Sequence, residues 1–131
     1  SLNPDFEELS KSKAKIGELG EHYVMDNIDK LLGGNIEDVY HTSKDYPTAP
    51  YDIEYTENGV KKYLEVKATI GDRKIFNMSS GEIRFMTKYK DYYTLLLLTD
   101  IKDKFPNVFK YNCEKINTFK KEYPSTRFYA N

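Results

Sequence analysis

Apolar residues recur through the first third of the chain at Ile16, Leu19, Tyr23, Val24, Ile28, Leu31 and Leu32. This is the spacing of one helix face, and it predicts a long amphipathic helix over 14–32, closed by Gly33-Gly34. Residues 1–13 are polar and read as a lead-in or a short helix. Gly17 and Gly20 lie inside the helix, where each costs roughly 1 kcal/mol relative to alanine, so close approach to another backbone is expected there. Asn35 to His41 reads as a strand, and Thr42 to Pro50, with two prolines, as a loop. Prolines cannot serve a central strand.

The next stretch, YDIEYTENGVKKYLEVK from Tyr51 to Lys67, alternates in polarity on both sides of Asn58-Gly59. Asn-Gly tolerates positive φ at both positions and marks a tight hairpin turn. With these two as the loop, Glu57 faces Val60, Ile53 faces Leu64, and Asp52 falls opposite Glu65. Side chains alternate along a strand, so Lys67 joins Asp52, Glu54 and Glu65 on one face, while Ile53, Leu64, Val66 and Ala68 supply core on the other. Ile70 to Lys74 is a turn, and Ile75 to Met78 a short extended piece. Ser79-Ser80-Gly81-Glu82 opens a second helix as a capping box, continued by Ile83, Phe85, Met86 and Tyr89.

The most strand-like segment is DYYTLLLLT, Asp91 to Thr99, whose unbroken apolar run suits a strand covered on both faces. A strand is read near Phe105 to Tyr111, a helix or irregular segment from Cys113 to Tyr123, and an edge strand from Thr126 to Tyr129. The order helix, strand, hairpin, helix, strand predicts an α/β (α+β) fold with a central mixed β-sheet and flanking helices. A strand reached by a crossover helix is expected parallel to an earlier one.

Composition narrows the classes. The 131 residues suit one domain with one real core. Twenty basic side chains against 21 acidic ones leave no global positive field, so a polyanion partner must be held locally. The lone Cys113 cannot form an internal disulfide, which makes a reducing, cytoplasmic setting the default. The longest aliphatic run, Leu95 to Leu98, is too short for a membrane span. No signal peptide is expected from the acidic start SLNPDFEEL, and the chain reads as one domain cut from a longer protein.

Candidate chemistry sits on the hairpin. Directly opposed residues have Cβ atoms about 5 Å apart, and like charges placed so destabilise a sheet unless something lies between them. A divalent cation between Asp52 and Glu65 meets that need. Hard carboxylate oxygens suit Mg²⁺ or Mn²⁺, and no Cys/His cluster exists for zinc. Lys67 reaches the same space, where an ammonium can orient the attacking water and stabilise charge gathering on phosphate. These parts describe metal-assisted hydrolysis of a phosphodiester. Glu54 reads as a partner for Lys61 or Lys62. Arg73 and Lys74, in the loop after the metal strand, are read either as phosphate contacts or as a solvated turn. Glu82 is read as a cap residue or a site residue. His22 and His41 have no partner visible in the sequence, and the tyrosines are read mostly as core and strand surface.

Asp52 followed by Glu65-Val66-Lys67 resembles the core motif of the PD-(D/E)XK nuclease superfamily, although Tyr51 stands where the motif's proline would be and Pro50 comes one residue early. Gly17-Glu18-Leu19-Gly20-Glu21 is similar to the Gly-Glu element that precedes the core in Mrr-like restriction nucleases and archaeal Holliday junction resolvases. With the YDI strand, LEVK and FNMSSGEIRFM, the chain looks most like the C-terminal domain of plant protein NO VEIN and its bacterial relatives, over about residues 14–100. The resemblance implies a restriction-endonuclease-like core and a Mg²⁺- or Mn²⁺-dependent nuclease acting on DNA in restriction, defence or repair. It implies Asp52, Glu65 and Glu21 as metal ligands, Glu21 being the helix glutamate that approaches the metal, and these three with Lys67 as the catalytic residues; Glu18, one turn earlier, competes for the place of Glu21. It also implies an attached ATPase or helicase module, and homodimerisation is open. The alternative is a catalytically silent DNA- or protein-binding module on the same fold.

Overall fold

The computed structural model describes residues 4–123 and 126–131. In chain order the elements are α1 (Pro4–Asp26), α2 (Ile28–Leu32), β1 (Ile36–Tyr40), α3 (Thr42–Asp45), β2 (Ile53–Glu57), β3 (Val60–Ala68), β4 (Ile75–Asn77), α4 (Ser80–Lys88), β5 (Tyr93–Thr99), β6 (Asn107–Tyr111), α5 (Cys113–Ile116), β7 (Lys120–Glu122) and β8 (Arg127–Tyr129). They form a mixed α+β fold with one five-stranded sheet, ordered β1-β2-β3-β5-β6, and one three-stranded sheet, ordered β4-β8-β7.

The expected first helix is two. It begins at Pro4, so the lead-in from residue 4 onward is helical, and it breaks at Asn27 before the short α2. Asn27 turns its side-chain amide back onto the Tyr23 carbonyl at 2.8 Å, a local bond that competes with the helix ladder. Gly33 and Gly34 end α2 with φ of 64° and 71°. Gly20 meets the expectation of close approach, since a Cβ built there would lie 2.8 Å from the Cβ of Ala68 on β3; one built on Gly17 would meet nothing within 4 Å.

The Asn58-Gly59 turn has φ of 51° and 79°, and the hairpin takes the predicted register, Glu57 opposite Val60 and Ile53 opposite Leu64. The parallel neighbour of β3 is β5, with Glu65 beside Leu95 and Lys67 beside Leu97. The connection through β4 and α4 is the crossover that parallel pairing requires. β5 is covered on both faces: Leu95 and Leu97 enter a core with Phe76, Met78, Met86, Ile116 and Phe128, whereas Leu96 and Leu98 enter one with Val24, Ile28, Ile53, Leu64 and Val66.

Three other expectations need correction. The segment Thr42 to Pro50 begins with the helical turn α3 before becoming irregular. The final strand is no edge: β8 lies between β4 and β7 in the small sheet. Its Phe128 stacks on Phe76 at 5.3 Å, and that aromatic pair was invisible to local pattern. Cys113 to Tyr123 resolves into α5 followed by β7.

Among the described residues, no helix is long and apolar enough to cross a membrane.

Candidate active site

β2 begins only at Ile53, paired with Leu64, whereas β3 runs on past that pair to Ala68. Residues 65–68 therefore have β5 on one side and no strand on the other. Asp52 occupies the start of that gap. It does not continue the ladder opposite Glu65, as the register extrapolates; its N–H donates to the Leu64 carbonyl at 2.9 Å and its own carbonyl accepts from Ser43 N–H at 3.1 Å. Its side chain takes over one orphaned strand amide, Oδ2 accepting from Val66 N–H at 2.8 Å.

Glu65 is the charged residue buried most deeply in the site, only 3 % exposed. Burial pushes its carboxyl well above the usual carboxylate range, a hydrogen bond with Asp52 and the Asp52 charge push it further, and Lys67 pulls in the other direction. The two carboxyl groups line one cavity even though the Asp52 backbone has left the ladder, Glu65 remaining in β3 beside Leu95. Glu65 Oε2 is buried without a hydrogen-bond partner.

Lys67, two residues on and on the same face, places Nζ 3.1 Å from Glu82 Oε1 and 3.3 Å from Oε2. Glu82 closes the predicted capping box as well: Ser79 N–H donates to Glu82 Oε1 at 2.8 Å, and Glu82 N–H donates to Ser79 Oγ at 3.1 Å. Burial alone would raise the Glu82 carboxyl, but the Lys67 charge, the Ser79 amide and the Lys67 hydrogen bond outweigh it and hold the group below its ordinary value. The two readings of Glu82, cap and pocket residue, describe one geometry.

Glu21 comes from α1. Its Oε1 is 2.6 Å from His41 Nε2 and accepts from Ser43 Oγ at 2.6 Å. His41, expected to lack a partner, therefore has one twenty residues away, supplied by folding. Ser43 ties this carboxylate to the Asp52 backbone. Glu18 is exposed and stands outside the pocket that holds Glu65 and Lys67.

Glu21, Asp52, Glu65, Lys67 and Glu82 all line one cavity of about 500 Å³, together with Lys13. Sequence reasoning missed Lys13. The signal was spacing: Lys13, Gly17 and Glu21 follow at intervals of four along α1, one stripe of a helix, but the expected helix began one residue too late to include Lys13. Arg73 and Lys74 are not in this cavity. Arg73 lines the adjoining depression, and the Lys74 ammonium sits over the Phe109 ring, 4.2 Å from its centroid. Glu54 pairs with Lys61 at 2.9 Å, in line with expectation.

Beside the acids, Tyr63 on the same face of β3 meets Phe85 edge-on at 5.0 Å, and Tyr51 meets both rings at under 5 Å. Tyr89 adds a further ring at 4.6 Å from Phe85. This aromatic group fastens α4 over β3, so these tyrosines act as packing.

Among the described residues, no group of three or more His, Cys, Asp or Glu side chains converges as a metal cage. Asp52 and Glu65 remain a pair of hard oxygen donors, and Mg²⁺ takes one or two carboxylates and keeps several waters. The unpartnered, buried Glu65 Oε2 fits that donor set. Glu21 Oε1, engaged by His41 and Ser43, is the less available oxygen.

A family model described as Protein NO VEIN, C-terminal, matches residues 20–111. No curated protein and no solved structure matches the chain. The matched span includes Glu21, Asp52, Glu65, Lys67 and Glu82, and leaves out Lys13 and the strands β7 and β8.

Proposed function

The chain belongs to the NO VEIN C-terminal family, and we propose that this member is a metal-dependent nuclease domain of the PD-(D/E)XK kind, hydrolysing phosphodiester bonds in DNA in a restriction, defence or repair setting. The observation that carries the reading is the buried Glu65 carboxyl, set beside Asp52 with Oε2 unpartnered and with the Lys67 ammonium at its edge. A protein interior tolerates such a pair of acids poorly without a compensating positive charge.

Asp52 and Glu65 would hold Mg²⁺ or Mn²⁺. Such an ion, when bound, would supply an activated water and offset charge on the scissile phosphate. Lys67 would donate hydrogen bonds to the attacking water or to a phosphate oxygen, its ammonium paired with Glu82. Asp52 is kept in place by the Val66 amide. Glu21, held by His41 and Ser43, lines the same pocket and would complete or orient the site. An attached ATPase or helicase module would deliver the substrate, and pairing of two copies would allow both strands to be cut.

The test incubates the purified protein with plasmid, single-stranded and branched DNA in Mg²⁺ or Mn²⁺. Cleavage that disappears in Lys67→Ala supports the reading. DNA binding without cleavage under any of these conditions points to the silent binding module, and absence of both cleavage and metal binding ends the proposal.

A further inference from the structure

The catalytic pocket is acidic, with Glu21, Asp52, Glu65 and Glu82 in its lining. A polyanion enters such a place only where neighbouring cations offset the repulsion, and the balanced charge of the chain supplies none globally. A second depression adjoins the pocket and shares Thr69, Ile75 and Asn77 with it. Its lining carries two guanidinium groups, Arg73 from the turn after β3 and Arg127 from β8, against the single carboxylate of Asp72.

The small sheet brings them there. Asn77 lies directly opposite Arg127 in the β4-β8 pair, so both side chains share a face, the face turned away from the buried Phe76 and Phe128. Arg73 and Arg127 are exposed. Of the other cations nearby, Lys67 is committed to Glu82, Lys74 lies over Phe109 and Lys120 over Tyr129, while Lys13 lines the catalytic pocket itself. Among the described residues, the Arg73 and Arg127 guanidinium groups form no ion pair or ring contact. Arginine's planar fork matches phosphate oxygens two at a time.

We infer that Arg73 and Arg127 form a backbone-phosphate subsite that holds the DNA strand as it leaves the catalytic pocket over β4 and β8, with Asn77 at the junction. The inference rests on the nuclease reading for its substrate class, and it gives the small sheet a role: β8, beyond the span of the family match, becomes part of the substrate path.

The experiment measures binding of a short fluorescein-labelled DNA strand by anisotropy in EDTA, so that metal and cleavage play no part, across a salt series from about 50 to 200 mM. Arg73→Ala/Arg127→Ala is expected to weaken binding about tenfold at low salt and to reduce the log–log salt slope by roughly 1.4, the loss of two phosphate contacts on a single strand. Arg73→Lys/Arg127→Lys restores most of the slope, which a purely structural defect would not. Lys102→Ala/Lys104→Ala, removing exposed cations elsewhere, leaves both quantities unchanged. Wild-type binding too weak to measure, an unchanged affinity in the arginine variant, or an equal loss in the lysine variant overturns the subsite. Arginine-dependent binding by a protein that never cleaves DNA overturns the nuclease reading and leaves the subsite standing.

Discussion

Lys67 and Glu82 are joined across the cavity by an ion pair of 3.1 Å, and the Glu82 oxygen that accepts from Lys67 also accepts from the Ser79 amide that starts α4. One carboxylate thereby caps the start of a helix and pairs with a lysine. The two duties separate by mutation. Lys67→Ala leaves the capping box intact but removes an ion pair whose side chains are only about one-fifth exposed, so it is expected to lower stability by about 1 kcal/mol. Its expected cost to cleavage is about a hundredfold or more. Glu82→Ala removes both contacts, so it should lower stability by about 1 kcal/mol more than Lys67→Ala does and also reduce cleavage. Thermal unfolding beside a plasmid assay checks the pair, and a Lys67→Ala protein that cuts normally removes lysine from the mechanism.

Glu65 makes the stability of the metal-free protein depend on pH in a direction opposite to that of Glu82. Its folded-state pKa is raised, so the folded protein keeps a proton that the unfolded chain releases. The penalty is absent below the unfolded carboxylate pKa of about 4.3 and grows as pH rises from there toward the folded value. For Glu82, whose carboxyl is held low, stability is present above the unfolded pKa and declines as pH falls through the folded one. Glu65→Gln should therefore stabilise the protein in EDTA at neutral pH by about 1–3 kcal/mol while leaving stability at pH near 4 nearly unchanged. Unfolding curves of both proteins across pH give the difference directly.

The same substitution should abolish stabilisation by divalent cations. A cation at about a hundred times its dissociation constant adds about 2.7 kcal/mol to a protein that binds it only when folded. Mn²⁺ or Mg²⁺ should raise the unfolding temperature of the wild type and leave Glu65→Gln unmoved. Calorimetric titration is the check, and equal shifts in both proteins would place the cation elsewhere.

Asp52 has a structural duty that its charge does not serve. Asp52→Asn can still accept from Val66 N–H, whereas Asp52→Ala leaves that strand amide without its partner. The alanine variant should lose about 1–3 kcal/mol of stability and the asparagine variant much less, while both lose cation binding. Urea unfolding combined with Mn²⁺ titration separates the two effects.

The glycines of α1 give a contrast within one helix. Gly20→Ala would bring a Cβ to 2.8 Å from Ala68 Cβ, an atom with no freedom to swing aside. Overpacking of that kind costs about 1–3 kcal/mol. Gly17→Ala meets nothing within 4 Å and should stabilise the helix by about 1 kcal/mol. Opposite shifts in unfolding midpoint are expected, and a stabilising Gly20→Ala would remove the close approach of α1 to β3 from the argument.

Local rules carried the elements with short-range causes. Asn58-Gly59 accepts positive φ at both positions, so the hairpin and its Ile53–Leu64 register were determined by the sequence itself. The Ser79–Glu82 cap was determined in the same way, as was the two-sided burial of Leu95 to Leu98. The tertiary structure decided whatever depends on partners distant along the chain. Asp52 leaves the ladder because Ser43 engages its carbonyl and β3 offers it an unpaired amide. Glu21 finds His41 only when α1 crosses β3 at Gly20, and Lys67 finds Glu82 only when β3, β4 and α4 close around the pocket. Periodicity and turn chemistry act within a few residues of chain, but a cavity is a property of how separate elements pack. The acids, the lysine and Arg73 could thus be named from the sequence, while the hydrogen-bond partners of the acids and the lysine, and the placing of Arg127 on the small sheet beside Arg73, required the fold.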